Sequence, residues 1–141
     1  MKRAEAREDP LDVRISDLRR RVARDGGARP EDIDEVDDLL EAEGPSVELL
    51  ILRGQLIQLV AGGRHDELEE AFACYREALE LDPRSAVAHE EIGHFLDDVA
   101  DDPAEAAGFF RKAIELGAGV SAEEGLRDVL SQLAEDQPEP F

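Results

Sequence analysis

An all-α fold is predicted by three observations. Ala, Leu, Glu and Arg dominate a chain that lacks Thr, Asn and Trp and has one Tyr. Its backbone preferences therefore favour helix, and its β-branched residues are only Val and Ile. No run alternates apolar and polar residues between hairpin turns. Apolar residues recur instead at spacings of three and four between stop and start signals, which divide the chain into about seven helices.

The 141 residues suit a single domain. Sixteen Lys+Arg face 36 Asp+Glu, a formal charge of −20. Leu, Ile, Val and Phe still total 37 and are periodically spaced, so the chain is expected to fold rather than remain disordered. This charge repels nucleic-acid backbones and anionic lipid, and neither is expected as a partner. One cysteine, Cys74, excludes an internal disulfide framework and a Cys-rich zinc site. The N-terminal MKRAEAREDP has no apolar core of a secretory signal. The longest apolar stretch, Val47 to Ala61, is interrupted by Glu48, Arg53, Gln55 and Gln58, too short and polar to span a membrane. A cytoplasmic location is the expectation.

Each helix has its own signals. Residues 1–9 are expected to be a flexible tail. Asp9 is placed as the cap of the first helix and Pro10 at its first position, where no amide hydrogen is needed. Leu11, Ile15, Leu18 and Val22 form its stripe, and Gly26-Gly27 stops it. Pro30 starts the second, with Ile33, Val36, Leu39 and Leu40 inward, ended by Gly44-Pro45. Ser46 opens the third, which is apolar almost all round and therefore the most buried. Asp66 with Glu69 resembles a capping box for the fourth, whose inner face is Leu68, Ala71, Phe72, Tyr75 and Leu79. Ser85 opens the fifth, with Ala88, Ile92, Phe95, Leu96 and Val99 inward. Asp102-Pro103-Ala104-Glu105 starts the sixth, and Ser121 with Glu124 is read as the cap of the seventh. The seventh helix's stripe is Leu126, Val129, Leu130 and Leu133, and residues 137–141, QPEPF, are a frayed tail.

An internal repeat emerges when the fourth and sixth helices are overlaid. Ala71, Tyr75 and Ala78 have counterparts 35 residues later in Ala106, Phe110 and Ala113. The preceding helices align as well, Gly54 in LRGQL against Gly93 in EIGHF. With the closing Pro83, this pattern resembles the tetratricopeptide repeat over residues 46–117. Gly and Ala then lie where helix backbones approach closely, and the aromatic fills the gap between repeats. The chain departs from the family pattern at Leu50 and His89, where an early aromatic is usual, in extra residues around AGGRHDEL, and at Ala118 in place of a closing Pro. The resemblance implies one helical domain over residues 10–136. Its parts are a degenerate hairpin at 10–44, repeats at 46–83 and 85–118, and a capping helix at 121–136 whose outer face is polar. An irregular helical bundle would use the same stripes.

Candidate chemistry is sparse. His89 and His94, in HEEIGH, are five residues apart. At about 100° per residue they diverge by about 140° and cannot share a metal on one helix face. His65 is placed in a loop with no evident partner, and His94 could pair with Glu90 or Glu91. Cys74 reads as a small packing residue. No GxSxG, P-loop or dinucleotide glycine pattern occurs. The acidic clusters Asp32, Asp34, Asp37, Asp38 and Asp97, Asp98, Asp101, Asp102 do not follow the EF-hand ligand order. No catalytic residue, metal or cofactor is expected. A metal-dependent enzyme is the remote alternative, to be settled by metal analysis.

Charge is unevenly distributed. Residues 1–30 hold nine cations and six anions, residues 31–141 seven and thirty. Arg19, Arg20, Arg21 and Arg24 make the first helix a candidate docking element for the acidic remainder; otherwise they complement the helix C-terminal dipole in solvent. The resemblance implies that the third and fifth helices line a concave groove, presenting Arg53, Gln55, Gln58, Glu90, Glu91, His94 and Asp97. Some tetratricopeptide domains clamp a C-terminal carboxylate with Lys, Arg and Asn, but here Asn is absent and Lys occurs only at Lys2 and Lys112. The expected function is a non-catalytic interaction scaffold that binds a basic or amphipathic protein segment through Glu90, Glu91, His94 and Asp97, with Gln55 and Gln58 beside them. The alternative is an immunity protein or secretion-type chaperone neutralising a basic effector. An open solenoid end also leaves room for homo-oligomerisation.

Overall fold

Local capping chemistry starts several helices where the sequence places them. Ser85 Oγ accepts the Ala88 N–H at 3.0 Å, Asp102 Oδ1 accepts the Glu105 N–H at 3.1 Å, and Ser46 Oγ accepts the Leu49 N–H at 3.2 Å. Each satisfies an amide that a helix leaves open in its first turn. The computed structural model describes residues 10–61 and 65–136, with side chains at 10–60 and 67–136. Among them are seven helices and no strand: α1 Leu11–Asp25, α2 Pro30–Glu43, α3 Val47–Ala61, α4 His65–Leu81, α5 Ala86–Asp98, α6 Pro103–Glu115 and α7 Val120–Asp136. Gly26 ends α1 in the left-handed region at φ 79°, and the Gly27 N–H closes on the Val22 carbonyl at 3.1 Å.

Three starts need correction or fall elsewhere. Pro10 is the residue before α1 rather than its first helical position. α7 begins at Val120, so Ser121 lies inside the helix and is not its cap. The expected caps at Asp9 and Asp66, and the QPEPF tail, lie outside the described side chains.

α2 solves its first turn in an unexpected way. Arg29 precedes Pro30 and offers no capping side chain. Asp32 supplies the missing acceptor: its carboxylate takes the Arg29 N–H at 2.8 Å, and its own N–H donates to the Arg29 carbonyl at 2.9 Å. Asp32 is only 2% exposed and also accepts from Arg21 Nη2 at 3.0 Å. Burial alone would raise its pKa, but the Arg29 amide and the Arg21 guanidinium outweigh that and hold the carboxyl below the usual Asp range. A depressed folded-state pKa means stabilisation that is complete above the unfolded value and lost as pH falls through the folded one. Asp32→Asn is therefore expected to cost about 1–3 kcal/mol at neutral pH. Thermal denaturation at stepped pH checks this, and the gap to wild type should close in acid.

Helices consecutive in the chain pack against each other from α2 onward, and α3 also touches α5 while α5 touches α7. The odd-numbered helices thus share a layer. Backbones approach most closely in the α3–α4 and α5–α6 hairpins, whereas α1 and α2 stay further apart. The eighth residue of each leading helix explains the difference. It is Gly54 in α3 and Gly93 in α5, but a fully buried Leu18 in α1. A Cβ at Gly54 would lie 2.8 Å from Tyr75 Cζ, and one at Gly93 would lie 2.9 Å from Phe110 Cδ1. Glycine at these positions admits the aromatic ring.

Two apolar clusters result, and α3 belongs to both. Leu49, Leu52 and Leu56 join Ile15, Leu18, Val36 and Leu39 of α1 and α2. Leu50, Ile51 and Ile57 join the core of α4 to α7 around Tyr75, Ile92 and Phe110. This is why α3 reads as apolar on all sides. Two stripe assignments need correction: Val99 and Leu130 are exposed, while α7 buries the expected Val129 together with Ala122 and Gly125.

Candidate functional site

The layer of odd-numbered helices brings the sequence-selected polar residues into one stripe. Along α5, Glu90, Glu91, His94 and Asp97 recur at helical spacing, so they rise from one side of the helix. Gln55 of α3 donates from Nε2 to Glu91 Oε2 at 2.9 Å. Its carbonyl oxygen accepts from Arg19 Nη1 of α1 at 2.7 Å. Toward α7, His94 Nε2 lies 3.3 Å from both Glu90 Oε2 and Ser121 Oγ, while Gln132 Nε2 donates to Asp97 Oδ1 at 3.0 Å. Gln58 accepts from the Tyr75 hydroxyl. The stripe therefore runs from α1 to α7, and His94 also leans edge-on against Phe110, with centroids 4.9 Å apart.

The four clustered arginines of α1, Arg19, Arg20, Arg21 and Arg24, divide into two kinds. Arg19 reaches the stripe, and Arg21 ties α1 to Asp32 and Glu35 of α2 at 3.0 and 2.9 Å. Arg20 pairs with Asp17, and Arg24 lies 3.5 Å from Asp25, both within α1. Among the described residues, Arg20 and Arg24 thus pair locally, in exposed pairs of small energetic value.

Glu91 is the electrostatic centre of the stripe. Burial pushes its carboxyl above the usual Glu range and Glu90 adds to the rise, while the Gln55 amide, His94 and Arg19 oppose it. A raised folded-state pKa makes the charged form a cost that is full above the folded value and gone below the ordinary Glu range. Glu91→Gln keeps an acceptor for Gln55 and removes the charge. It is expected to raise Tm at neutral pH, with the gain vanishing as pH falls through the carboxylate range. Scanning calorimetry across pH checks this, and Glu91 and Asp32 should give opposite signs.

Arg53 lies elsewhere than a groove-lining reading implies, and His89 turns away from His94. Arg53 is clamped between helices, donating from Nε to Asp37 at 2.6 Å and from Nη2 to Glu70 at 2.9 Å, with Nη1 3.3 Å from Cys74 Sγ. It joins α2, α3 and α4. Burial raises the Cys74 thiol above its usual range although Arg53 opposes it, which disfavours the reactive thiolate at neutral pH. His89 is buried with Nδ1 2.8 Å from the Ser85 carbonyl and its ring 6.0 Å from Phe109. The two histidines of HEEIGH therefore serve different neighbours, and His65, expected in a loop, is instead the first residue of α4, with its side chain outside the described residues. Asp32, Asp37, Asp97 and Asp102 each have a named partner. Among the described residues no three His, Cys, Asp or Glu side chains converge as a metal site.

Two features were missed from the sequence. Gly125 of α7 is a third close-approach glycine, where a Cβ would lie 2.6 Å from Phe110 Cζ; its signal is a lone Gly inside a helical pattern. The other is an open groove of about 700 Å³ over α5, between α4 and α6. Its signal is Phe109 next to Phe110: adjacent helical residues point about 100° apart, so both cannot enter the same core.

No helix among the described residues is long and apolar enough to cross a membrane. No protein-family model matches the chain, and no curated protein matches it. Among solved structures, the TPR domain of Sgt2 from Aspergillus fumigatus superposes with a TM-score of 0.71 at 22% identity, over 94% of this chain and 88% of that one. The all-α architecture, the close-approach glycines and this superposition agree: the chain has the helical-hairpin repeat fold of tetratricopeptide domains.

Proposed function

We propose that the chain is a non-catalytic interaction scaffold whose odd-helix face binds a basic or amphipathic segment of another protein. The observation that carries this reading is the Arg19–Gln55–Glu91 relay, in which the face already receives one guanidinium from the chain's own basic helix. Glu91 is also a carboxylate in a position that disfavours its charge, a feature that clusters at functional sites. An incoming Lys or Arg would relieve that cost and exchange with Arg19. Glu90, Glu91, His94 and Asp97 supply the contacts, with Gln55 and Gln58 beside them. The overall charge of −20 speeds encounter with cations and disfavours acidic competitors.

The test is calorimetric titration of the full chain with a synthetic peptide of alternating Arg and Ser. Glu90→Lys/Glu91→Lys is expected to weaken binding by about tenfold or more, and raising the salt should weaken the wild type as well. Affinity that ignores both changes would sink the reading.

A further inference from the structure

The open groove lies on the other side of the hairpins from the polar stripe. Its floor is Ile92 and Leu96 of α5, both buried; its walls are Phe72 and Leu79 of α4 and Phe109 of α6, all half-buried. Phe72 is held by stacking on Phe95, centroids 4.9 Å apart, so the wall is preformed. The volume of about 700 Å³ falls within the roughly 300–1,000 Å³ of clefts that bury a ligand. It exists because α4 and α6 pack against α5 without closing on each other.

The rim decides what would enter. Glu80 and Glu105 border the groove, and Glu77 continues the acidic edge along α4. Arg76, the one cation among the described lining residues, already lies over the Phe72 ring, 5.8 Å from its centroid. An apolar floor under an acidic rim rejects fatty acids, whose carboxylate would meet Glu80 and Glu105. A second copy of a chain carrying −20 is repelled in the same way. We propose that this groove is a second interaction surface, separate from the stripe, which takes an apolar segment flanked by Lys or Arg from another protein. Apolar side chains seat between Phe72 and Phe109, and the flanking cations reach Glu80 and Glu105.

The probe is a synthetic amphipathic helical peptide with Leu on one face and Lys on the other, titrated into the isotopically labelled full chain. Amide shifts are expected around Phe72, Leu79, Leu96 and Phe109. Phe109→Ala, a half-buried change, and Glu80→Lys/Glu105→Lys should each weaken the binding read at these groove amides by about tenfold, while Glu41→Lys, exposed on α2, leaves it unchanged. No binding, shifts confined to Gln55, Glu91 and His94, or indifference to the groove variants would overturn the proposal. Two other outcomes also overturn it by naming a different occupant. A mass that rises with concentration and is blocked by Phe109→Ala assigns the groove to a second copy. Tighter peptide binding on removal of residues 137–141 assigns it to the chain's own C-terminal segment.

Discussion

Gly54→Ala is expected to destabilise the fold, although alanine is the better helix former. In an exposed helix the change gains about 1 kcal/mol. Here the added methyl would lie 2.8 Å from Tyr75 Cζ and 3.0 Å from Cδ1. Tyr75 is fully buried and its hydroxyl is tied to Gln58, so the ring has no free space into which to move. Overpacking against so confined a ring should cost about 3 kcal/mol, the upper end of the usual range. The net loss of about 2 kcal/mol corresponds to a Tm fall of roughly 6–10 °C. Gly108→Ala is the internal control: it lies in α6, has nothing within 4 Å, and should gain about 0.5–1 kcal/mol. Opposite signs at two helical glycines, read by thermal or urea denaturation, isolate packing from propensity.

The largest loss is expected for Phe110→Ala. The ring is fully buried and lies against both Gly93 of α5 and Gly125 of α7, so it fills the space where three helices meet. Truncation should cost about 3–5 kcal/mol, a large share of the stability of an ordinary domain. The glycines then have nothing to clash with. Gly125→Ala should destabilise in the wild-type background and be tolerated beside Phe110→Ala, a coupling that a double-mutant cycle measures. Phe110→Leu offers a milder probe, expected to cost about 1–2 kcal/mol. It also removes the ring edge against His94, 4.9 Å from its centroid, so core packing and the polar stripe should respond together.

Much of the architecture was legible because it rests on short-range rules. Ser85 and Asp102 cap where their hydrogen-bonding side chains precede apolar runs. Gly54, Tyr75, Gly93 and Phe110 pair because small and large residues recur at a fixed period. The periodicity of α5 also places Glu90, Glu91, His94 and Asp97 on one side, where helix spacing alone suffices.

What was not legible depends on neighbours distant in the chain. Arg53 and Gln55 are two residues apart on α3, yet one is clamped among α2 and α4 while the other joins Arg19 and Glu91. Only the docking of α2 and α5 distinguishes them. Asp32 belongs to an acidic run that matches no ligand motif, and Arg21 and the Arg29 amide draw it inward. His89 is buried because its ring finds the Ser85 carbonyl and Phe109. Phe72 has the spacing of a core residue and remains half-buried, since no helix among the described residues covers the space between α4 and α6. In each case local pattern gives the side of the helix, and tertiary packing gives its occupant.

These contacts also tie stability to the binding reading. Arg19 and Arg21 fasten α1 at one end of the stripe, and Ser121 and Gln132 of α7 close the other. A bound basic segment would replace some of these internal contacts, so affinity should reflect an exchange and not a simple gain. The most direct measurement is amide shift mapping of the full chain titrated with the alternating Arg and Ser peptide. The largest changes are expected at Gln55, Glu90, Glu91, His94 and Asp97, with Arg19 responding as its guanidinium is displaced. Shifts confined to α2, α4 and α6, or no shift at low salt, would contradict an acidic binding face on the odd-numbered helices.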